Sequence, residues 1–523
     1  MFTAPEISYA AFAPTIIVLL AGAVGILLEA IIRTHTTRRH VQLGLALGAM
    51  VAAAGTAIVQ WATYDAAGVV AQAGMFVMDR QALAWHVMLL VFGILGVLLF
   101  AARTRAGEEA FTPLGSTAPG SEDEAEARRR GFELTEVFPL ALFAVGGMML
   151  FAATVDFLAL FVALEVFSLP LYIMVALARR KRLLSHEGAL KYFLLGAFSS
   201  AIYLFGVALL YGATGSLSYA DVAAAIIALP DMSPLFVIGA VMVLVGLLFK
   251  LGAVPFHTWS PDAYQGAPTP VTAFMAAATK AAAAAALLRV VFTALFPLEW
   301  ELNWLIWTVA ILSMVVGTVL ALVQTDLKRM LAYSSVAHAG FILVAFAGFS
   351  PQALSAVPFY LLTYGLATIG AFAVLTQVRE KAVDGTVGAE ATRLGQWAGL
   401  GKREPLLAAS MGLFLLSFAG IPLTAGFIGK FQAFAAAIDG GAWPLVFVAV
   451  LCSAAAAFFY VRLIVLMFFT DVPEDQEESI EVDYHPYARV VVWITAAAVI
   501  LLGILPGGVL TLFEDAATLL TGL

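Results

Sequence analysis

Five ionisable side chains stand well inside apolar runs: Glu165 in LALFVALEVFSLP, Lys191 in GALKYFLLG, Lys250 in VGLLFKLGAVP, Lys280 in AAATKAAAAAAL and Lys430 in TAGFIGKFQAF. A charge at the centre of a bilayer costs about 2.5–3.5 kcal/mol even on insertion scales. Five of them, four cationic, need paired or hydrated surroundings. Desolvation disfavours an ammonium, whereas a nearby carboxylate restores it at ~4 kcal/mol for ~4 Å and an effective dielectric of ~20. A buried lysine beside a carboxylate is thus suited to taking up and releasing a proton, and movement of Glu165 relative to Lys250 would switch Lys250 between two states. Static pairing or snorkelling is the competing reading. It weighs most for Lys191, close to the end of its run, and least for Lys280, which has a long apolar stretch on each side.

Two histidines extend the set. His257 follows Pro255 by two residues and is placed to relay protons between Lys250 and Lys280, an imidazole titrating near neutrality when unperturbed. His338, in MLAYSSVAHAGFIL, lies between the lysines of the two halves. A loop-edge histidine or one bonded to a backbone carbonyl is the plainer reading of each. Tyr333, Ser334, Ser335 and Thr279 add hydroxyls. Glu29 is expected to snorkel or pair with Arg33, and Asp326, Lys328 and Arg329 to form a solvated connection. Arg289 and Arg462 need partners that the sequence does not name.

The elements that must hold these residues are membrane-spanning helices. Of the 523 residues, 62% are hydrophobic and 12% charged, about half the charge of a soluble domain. Apolar stretches of roughly 20 residues number about fourteen: 11–33, 41–62, 81–102, 134–153, 155–178, 188–212, 234–262, 268–295, 303–323, 328–348, 355–378, 406–437, 443–470 and 488–512. With strict alternation, one set of loops collects about nineteen basic residues and the other essentially Arg80 alone, which places the basic loops in the cytoplasm and both termini outside it. The N-terminus lacks the basic region and cleavage site of a removable signal, so the first span is expected to be retained. Residues 104–132 are Gly-, Pro- and acid-rich and read as a flexible loop. The stretch 221–229 reads as a short interfacial helix, and 471–486 as an acidic, solvated connector.

Two spans are long and interrupted by proline. GLLFKLGAVPFHTW (246–259) is similar to LFLLSFAGIPLTAG (413–426), with Pro255 aligned to Pro422. Paired interruptions in two halves are a mark of inverted-repeat transporters, and the freed backbone groups must line protein or water. The single Cys452 excludes an intrachain disulfide and a cysteine-held zinc or iron–sulfur site. There is no GxGxxG turn after a strand, no P-loop, no CxxC and no credible pair of haem histidines. Any electron chemistry therefore lies in other chains.

The segments LEVFSLPLYIMVAL, EGALKYFLLGAFSSAIYLFGVALLYGATGSL, FKLGAVPFHTWSPDAYQGAPTPVTAFMAAATKAAA and QTDLKRMLAYSSVAHAGF resemble the antiporter-like subunits of respiratory complex I. The resemblance covers most of 135–470, and PDAYQGAPTPVTAF (261–274) is its most specific marker. It implies an all-α polytopic membrane protein of about fourteen helices with two inverted five-helix repeats, each containing a broken helix. The expected divisions are 1–133, three helices and the flexible loop; 134–295, the first repeat; 296–470, the second; and 471–523, the acidic loop and last helix.

By the same resemblance, Glu165 corresponds to the glutamate of the fifth helix, Lys250 to the lysine of the broken seventh, Lys280 to that of the eighth, and Lys430 to the terminal charge of the broken twelfth. That last position is glutamate in the family's M subunit, which argues against M; the lack of a long extension after the last span argues against L. The acid-rich insertion at 104–132 is unusual for the family. The implied function is proton translocation coupled to NADH oxidation and quinone reduction elsewhere. NAD, FMN, iron–sulfur clusters and quinone are expected in the rest of the complex and no cofactor in this chain. The expected partners are the M subunit, the small K and J subunits and the lipid of a bacterial inner membrane, with no nucleic acid. A multi-subunit Na+/H+ antiporter, a membrane-bound hydrogenase and a scaffold whose charges merely join helices are the alternatives.

Overall fold

Long apolar runs leave the backbone no partner but itself, and the chain is accordingly helical almost throughout. The structure is a computed structural model that describes residues 7–65, 68–105, 107–130, 132, 134–228, 233–381, 387–471, 480–517 and 519. The first helices are α1 (Ala13–Ile31), α2 (His35–Thr63) and α3 (Arg80–Phe100), with the hairpin β1 (Val69–Ala71) and β2 (Phe76–Met78) before α3. After a short α4 (Glu122–Arg129) come α5 (Val137–Ala153), α6 (Phe157–Val175), α7 (Arg182–Thr214), α8 (Tyr219–Ala228), α9 (Pro234–Leu251), α10 (Trp259–Gly266) and α11 (Thr269–Arg289). The second half runs α12 (Glu299–Leu322), α13 (Leu327–Phe346), α14 (Ala353–Gln377), the strands β3 (Val378–Lys381) and β4 (Val387–Glu390), then α15 (Leu400–Arg403), α16 (Pro405–Ala419), α17 (Ala425–Asp439) and α18 (Trp443–Phe469). The chain closes with β5 (Ile480–Val482), α19 (Pro486–Ile504) and α20 (Gly507–Asp515).

Among the described residues, 12 helices are long and apolar enough to cross a membrane. The shorter α5 and the broken pair α16–α17 complete the fourteen expected spans. Helix starts follow local chemistry. Asp79, Asp156, Ser233 and Asp326 each accept a hydrogen bond from a first-turn amide of α3, α6, α9 and α13. Each half has three helices, a helix broken in two and a closing helix: α5, α6, α7, α9–α10, α11, and then α12, α13, α14, α16–α17, α18. Five spans per unit invert the second copy relative to the first. At the centre α11 is buried along its whole length and α14 nearly so. Apolar side chains on α1, α2, α7, α18 and α19 face outward, as lipid or neighbouring helices require.

Several expectations are corrected by packing. The segment read as a flexible loop carries α4, and Glu124 is buried beneath it, accepting from Arg179 Nε at 2.8 Å, while Glu108 also pairs with Arg179. Its acidic composition reports average solvation and misses the two carboxylates that neutralise a buried guanidinium. Glu29 pairs with Arg38 at 3.0 Å rather than Arg33, and also accepts from Gln42 and Thr135. Lys328 is buried, with Nζ on the Ala267 carbonyl at 2.7 Å, so the 326–329 connection is only partly solvated. Arg462 lies exposed on α18. The stretch expected as a short helix is α8; its expected last residue, 229, falls outside the described residues, as do 472–479 of the acidic connector. The rest of that connector includes β5, which joins β3 and β4 in the order β4–β3–β5.

Candidate functional site

Both broken helices stop the same way. α9 ends at Gly252 (φ +76°) and α16 at Gly420 (φ +78°). The next amide reaches back to the fifth preceding carbonyl: Ala253 to Leu248 at 3.0 Å and Ile421 to Leu416 at 3.1 Å. This glycine-centred termination needs a left-handed residue and leaves the last carbonyls pointing inward. A lysine meets each break at the carbonyl just before the glycine. Lys280 Nζ, from α11, donates to Leu251 O at 2.7 Å. Lys430 Nζ, from α17, donates to Ala419 O at 3.1 Å and to Ser453 Oγ on α18 at 2.7 Å. The Pro255–Pro422 alignment misses this equivalence by one residue, because Pro255 comes three positions after Gly252 and Pro422 two positions after Gly420.

Lys250 occupies the last turn of α9. Its Nζ donates to Ser168 Oγ at 2.8 Å and Tyr172 Oη at 3.1 Å, in a box made by the rings of Phe167, Tyr172, Tyr192 and Phe249. Glu165 is on the same helix as Ser168 and Tyr172, at spacings of three and seven that share one helical face. It accepts from Ser200 Oγ at 2.6 Å, and neither a hydrogen bond nor an ion pair joins it to Lys250. The expected Glu165–Lys250 pair is thus separated, with Ser168 and Tyr172 next to the ammonium. Lys250, Lys280 and Lys430 are 2%, 3% and 5% exposed, and their hydrogen-bond partners are all neutral oxygens.

His338 sits within the second half, and Ser335, one turn before it, reaches the first. His338 Nδ1 lies 2.7 Å from Tyr360 Oη and its Nε2 3.2 Å from Tyr460 Oη, which also bonds Ser334. Ser335 lies 3.4 Å from Tyr264 Oη on α10. Phe341 links His338 to the second break: its ring packs on the imidazole and lies 4.7 Å from Lys430 Nζ. His257 is half-buried, its ring facing Tyr333 with centroids 6.4 Å apart. Its Nδ1 is buried with no hydrogen-bond partner, and no hydrogen bond ties the ring to Lys250 or Lys280. Lys191 stands apart: its half-exposed ammonium pairs with Glu187 at 2.5 Å and Asp262 at 2.7 Å, and Asp262 pairs in turn with Arg329. Thr279 is turned to its own helix, bonding Met275 O.

Sequence reasoning missed Ser168, Tyr172, Ser200, Tyr360, Tyr460 and Ser453. The helical spacing from Glu165 was a readable signal for the first two. For the others, partners far along the chain are fixed only by packing. Arg289, left without a partner, is held by both oxygens of Asp79 at 2.8 Å, with both residues almost fully buried.

Two inverted repeats, each with a helix broken at a glycine and a lysine on the break, define an antiporter-like membrane subunit. The chain belongs to the NADH:quinone oxidoreductase/Mrp antiporter transmembrane family, whose model matches residues 154–456. It is 54% identical over 525 residues to the NADH-quinone oxidoreductase subunit N of Beutenbergia cavernae, covering 98% of this chain and 99% of that one. It is 47% identical over 532 residues to the subunit N of Mycobacterium tuberculosis, covering 99% of each. Among solved structures it resembles a chain of respiratory complex I from Thermus thermophilus with bound aureothin, at TM-score 0.74 and 34% identity, covering 95% of this chain and 98% of that one. A chain of the Mrp complex from Dietzia shares the fold, at TM-score 0.78 and 22% identity over 98% of each.

Proposed function

We propose that this chain moves protons across the membrane as a membrane-arm subunit of an NADH:quinone oxidoreductase, through a midplane row of Lys250, Lys280, His338 and Lys430. Redox energy comes from quinone reduction in other subunits. The observation that carries this reading is that three buried ammonium groups have only neutral oxygens as hydrogen-bond partners. A static joint looks different in the same molecule: Arg289 is locked to a carboxylate on both arms. An ammonium on a carbonyl or hydroxyl can release its proton without breaking an ion pair. Glu165, one turn from the hydroxyl that Lys250 holds, tunes that lysine by its charge at a distance rather than by contact. His257 extends the row through its free Nδ1, and Lys191, within its ion-pair cluster, supports the entry side rather than the row.

In this reading protons enter from the basic-loop side, taken as the cytoplasm, and leave on the side of both termini. The chain sits in a bacterial inner membrane beside an M-type subunit and the small K- and J-type subunits. The four divisions 1–133, 134–295, 296–470 and 471–523 act as a flank, two half-channels and a closing strap. High identity over full length to relatives named as oxidoreductase subunits favours this reading over the sodium antiporter and hydrogenase alternatives, since the Mrp likeness is one of fold.

Proton uptake per electron, measured in vesicles carrying the whole complex, tests the row. Lys250→Ala should abolish the share of pumping that depends on this subunit while the complex still assembles. An unchanged proton-to-electron ratio would overturn the proposal. Arg289→Met is the control: it strands Asp79 in the interior and should cost about 3–5 kcal/mol of stability, read as loss of assembled complex.

A further inference from the structure

On the side that carries α4, a cleft opens where the two repeats meet, lined by Lys181, Lys328, Arg379 and Glu390 together with the turn at Gly266–Pro268. Arg179 and Arg180 border it, but Glu108 and Glu124 neutralise Arg179, and Glu108 also reaches Arg180. The other three cations are not neutralised by contact. Arg379 is 7% exposed, its Nε is buried without a partner, and no side-chain hydrogen bond or ion pair joins it to another described residue. Glu390 in the β3–β4 register and Glu481 in the β3–β5 register both stand opposite Arg379, yet neither forms an ion pair with it. Lys328 donates to a neutral carbonyl, and Lys181 Nζ to Thr392 Oγ1 at 3.2 Å.

Three cations that no contact neutralises line the cleft with Glu390; Glu109, also in the lining, pairs with Arg39 and Arg103. Burial pushes the Glu390 carboxyl up, but Arg379, Lys328 and Lys181 outweigh it and hold it below the usual range, so it stays charged. A buried guanidinium with an empty Nε is unfavourable without an anion. The cations come from three separate elements: Lys181 from the turn before α7, Lys328 from the first turn of α13, and Arg379 from β3. A fork donor and two point donors converging from different directions suit a tetrahedral dianion better than a planar carboxylate.

We propose that this cleft binds a phosphate group, held by Arg379, Lys328 and Lys181 at the junction of the two repeats. The group comes either from free phosphate or from the headgroup of an anionic lipid. Its place matters because Lys328 belongs to α13, which carries His338, while the Gly266–Pro268 turn leads into α11, which carries Lys280. A ligand here would brace both halves without entering the proton row.

The test uses the intact complex in two arms. In phosphate-free detergent buffer, inorganic phosphate is titrated calorimetrically. In nanodiscs of phosphatidylglycerol or phosphatidylcholine, retained lipid is counted by native mass spectrometry. Each is read as the difference between wild type and Arg379→Gln, which cancels phosphate sites elsewhere in the complex. The expected result is one site lost, or weakened roughly tenfold or more, in Arg379→Gln. A difference in the calorimetric arm identifies free phosphate, and a difference only with phosphatidylglycerol identifies a lipid headgroup. Should Arg379→Gln fail to assemble, Lys181→Gln, an exposed side chain at the same cleft, carries the comparison. Equal binding in wild type and the assembled variant, in both arms, overturns the proposal.

Discussion

The two broken helices end in the same backbone motif but hold their lysines differently. At the first break the ammonium arrives from the closing helix: Lys280 on α11 bonds Leu251 O. At the second it arrives from the other half of the same broken helix: Lys430 on α17 bonds Ala419 O. Where α11 supplies Lys280, α18 supplies Ser453, whose Oγ lies 3.4 Å from Ala419 O and accepts from Lys430. The first repeat also has Lys250, two residues before its glycine; the matching place before Gly420 is Phe418, which packs on His338. One half is therefore a site with two cations and one side-chain donor on the carbonyl just before its glycine. The other has one cation and a neutral second donor. What the repeats share is the backbone device, an exposed carbonyl at a glycine end. What differs is the protonatable group brought to it.

The largest effects separate the two lysines. Lys280→Met removes the side-chain donor to Leu251 O at the first break, and turnover of the proton-coupled reaction should fall about 10²-fold or more, as for loss of a group that transfers protons. Lys430→Met leaves Ser453 on Ala419 O and should fall less, on the order of tenfold. Quinone reduction and proton uptake in the same vesicles check both, and an equal or greater loss in Lys430→Met would break the comparison. A scaffold would leave Lys280→Met fully active.

Next are the glycines. Any side chain at Gly252 or Gly420 meets a left-handed backbone, so alanine at either should cost about 1–2 kcal/mol, seen as a lower melting temperature of the complex. The sites then diverge. A Cβ on Gly252 would lie 3.7 Å from Lys280 Nζ, ordinary contact, whereas one on Gly420 would lie 2.9 Å from Lys430 Cδ and 3.4 Å from its Nζ. Lys430 must move aside. Gly420→Ala should therefore reproduce part of the Lys430→Met loss of turnover, while Gly252→Ala should lose stability alone. Matching activity in the two variants would show that the second lysine is not held at its break.

Much of this contrast was legible before the structure, because it rests on residue types. Apolar runs of span length located the helices, and Lys250, Lys280 and Lys430 announced themselves as cations in apolar runs. The prolines found both breaks. They misaligned the helix ends by one residue, since the ending is set by glycine in the left-handed region and proline only follows it. The Glu165–Lys250 contact failed for a different reason. Two opposite charges within reach of one another suggest pairing, but Ser168 and Tyr172, on the face that Glu165 shares, are nearer to the ammonium, and Ser200 takes the carboxylate. Tyr360, Tyr460 and Ser453 could not be read at all: nothing in a helix's own sequence says which neighbour it will face. The loop at 104–132 misled because composition is an average, and one buried Glu124 on Arg179 is enough to anchor it.

The smallest expected effect is the sharpest test of why the second break tolerates a lost lysine. Ser453→Ala removes a neutral hydroxyl that shares Ala419 O with Lys430, and Lys430 keeps its own bond to that carbonyl. The loss is one hydroxyl that accepts from Lys430 and donates to Ala419 O, and turnover should stay close to wild type. If the hydroxyl is the reserve donor, its worth appears only when the lysine is gone. The double variant Ser453→Ala with Lys430→Met should then lose more turnover than the two single losses combined, falling toward Lys280→Met, because Ala419 O has then lost both side-chain donors, as Leu251 O loses its donor in Lys280→Met. Residues that touch are expected to couple in this way. Strict additivity would mean that Ser453 merely packs beside Lys430, and that the two breaks differ in charge alone.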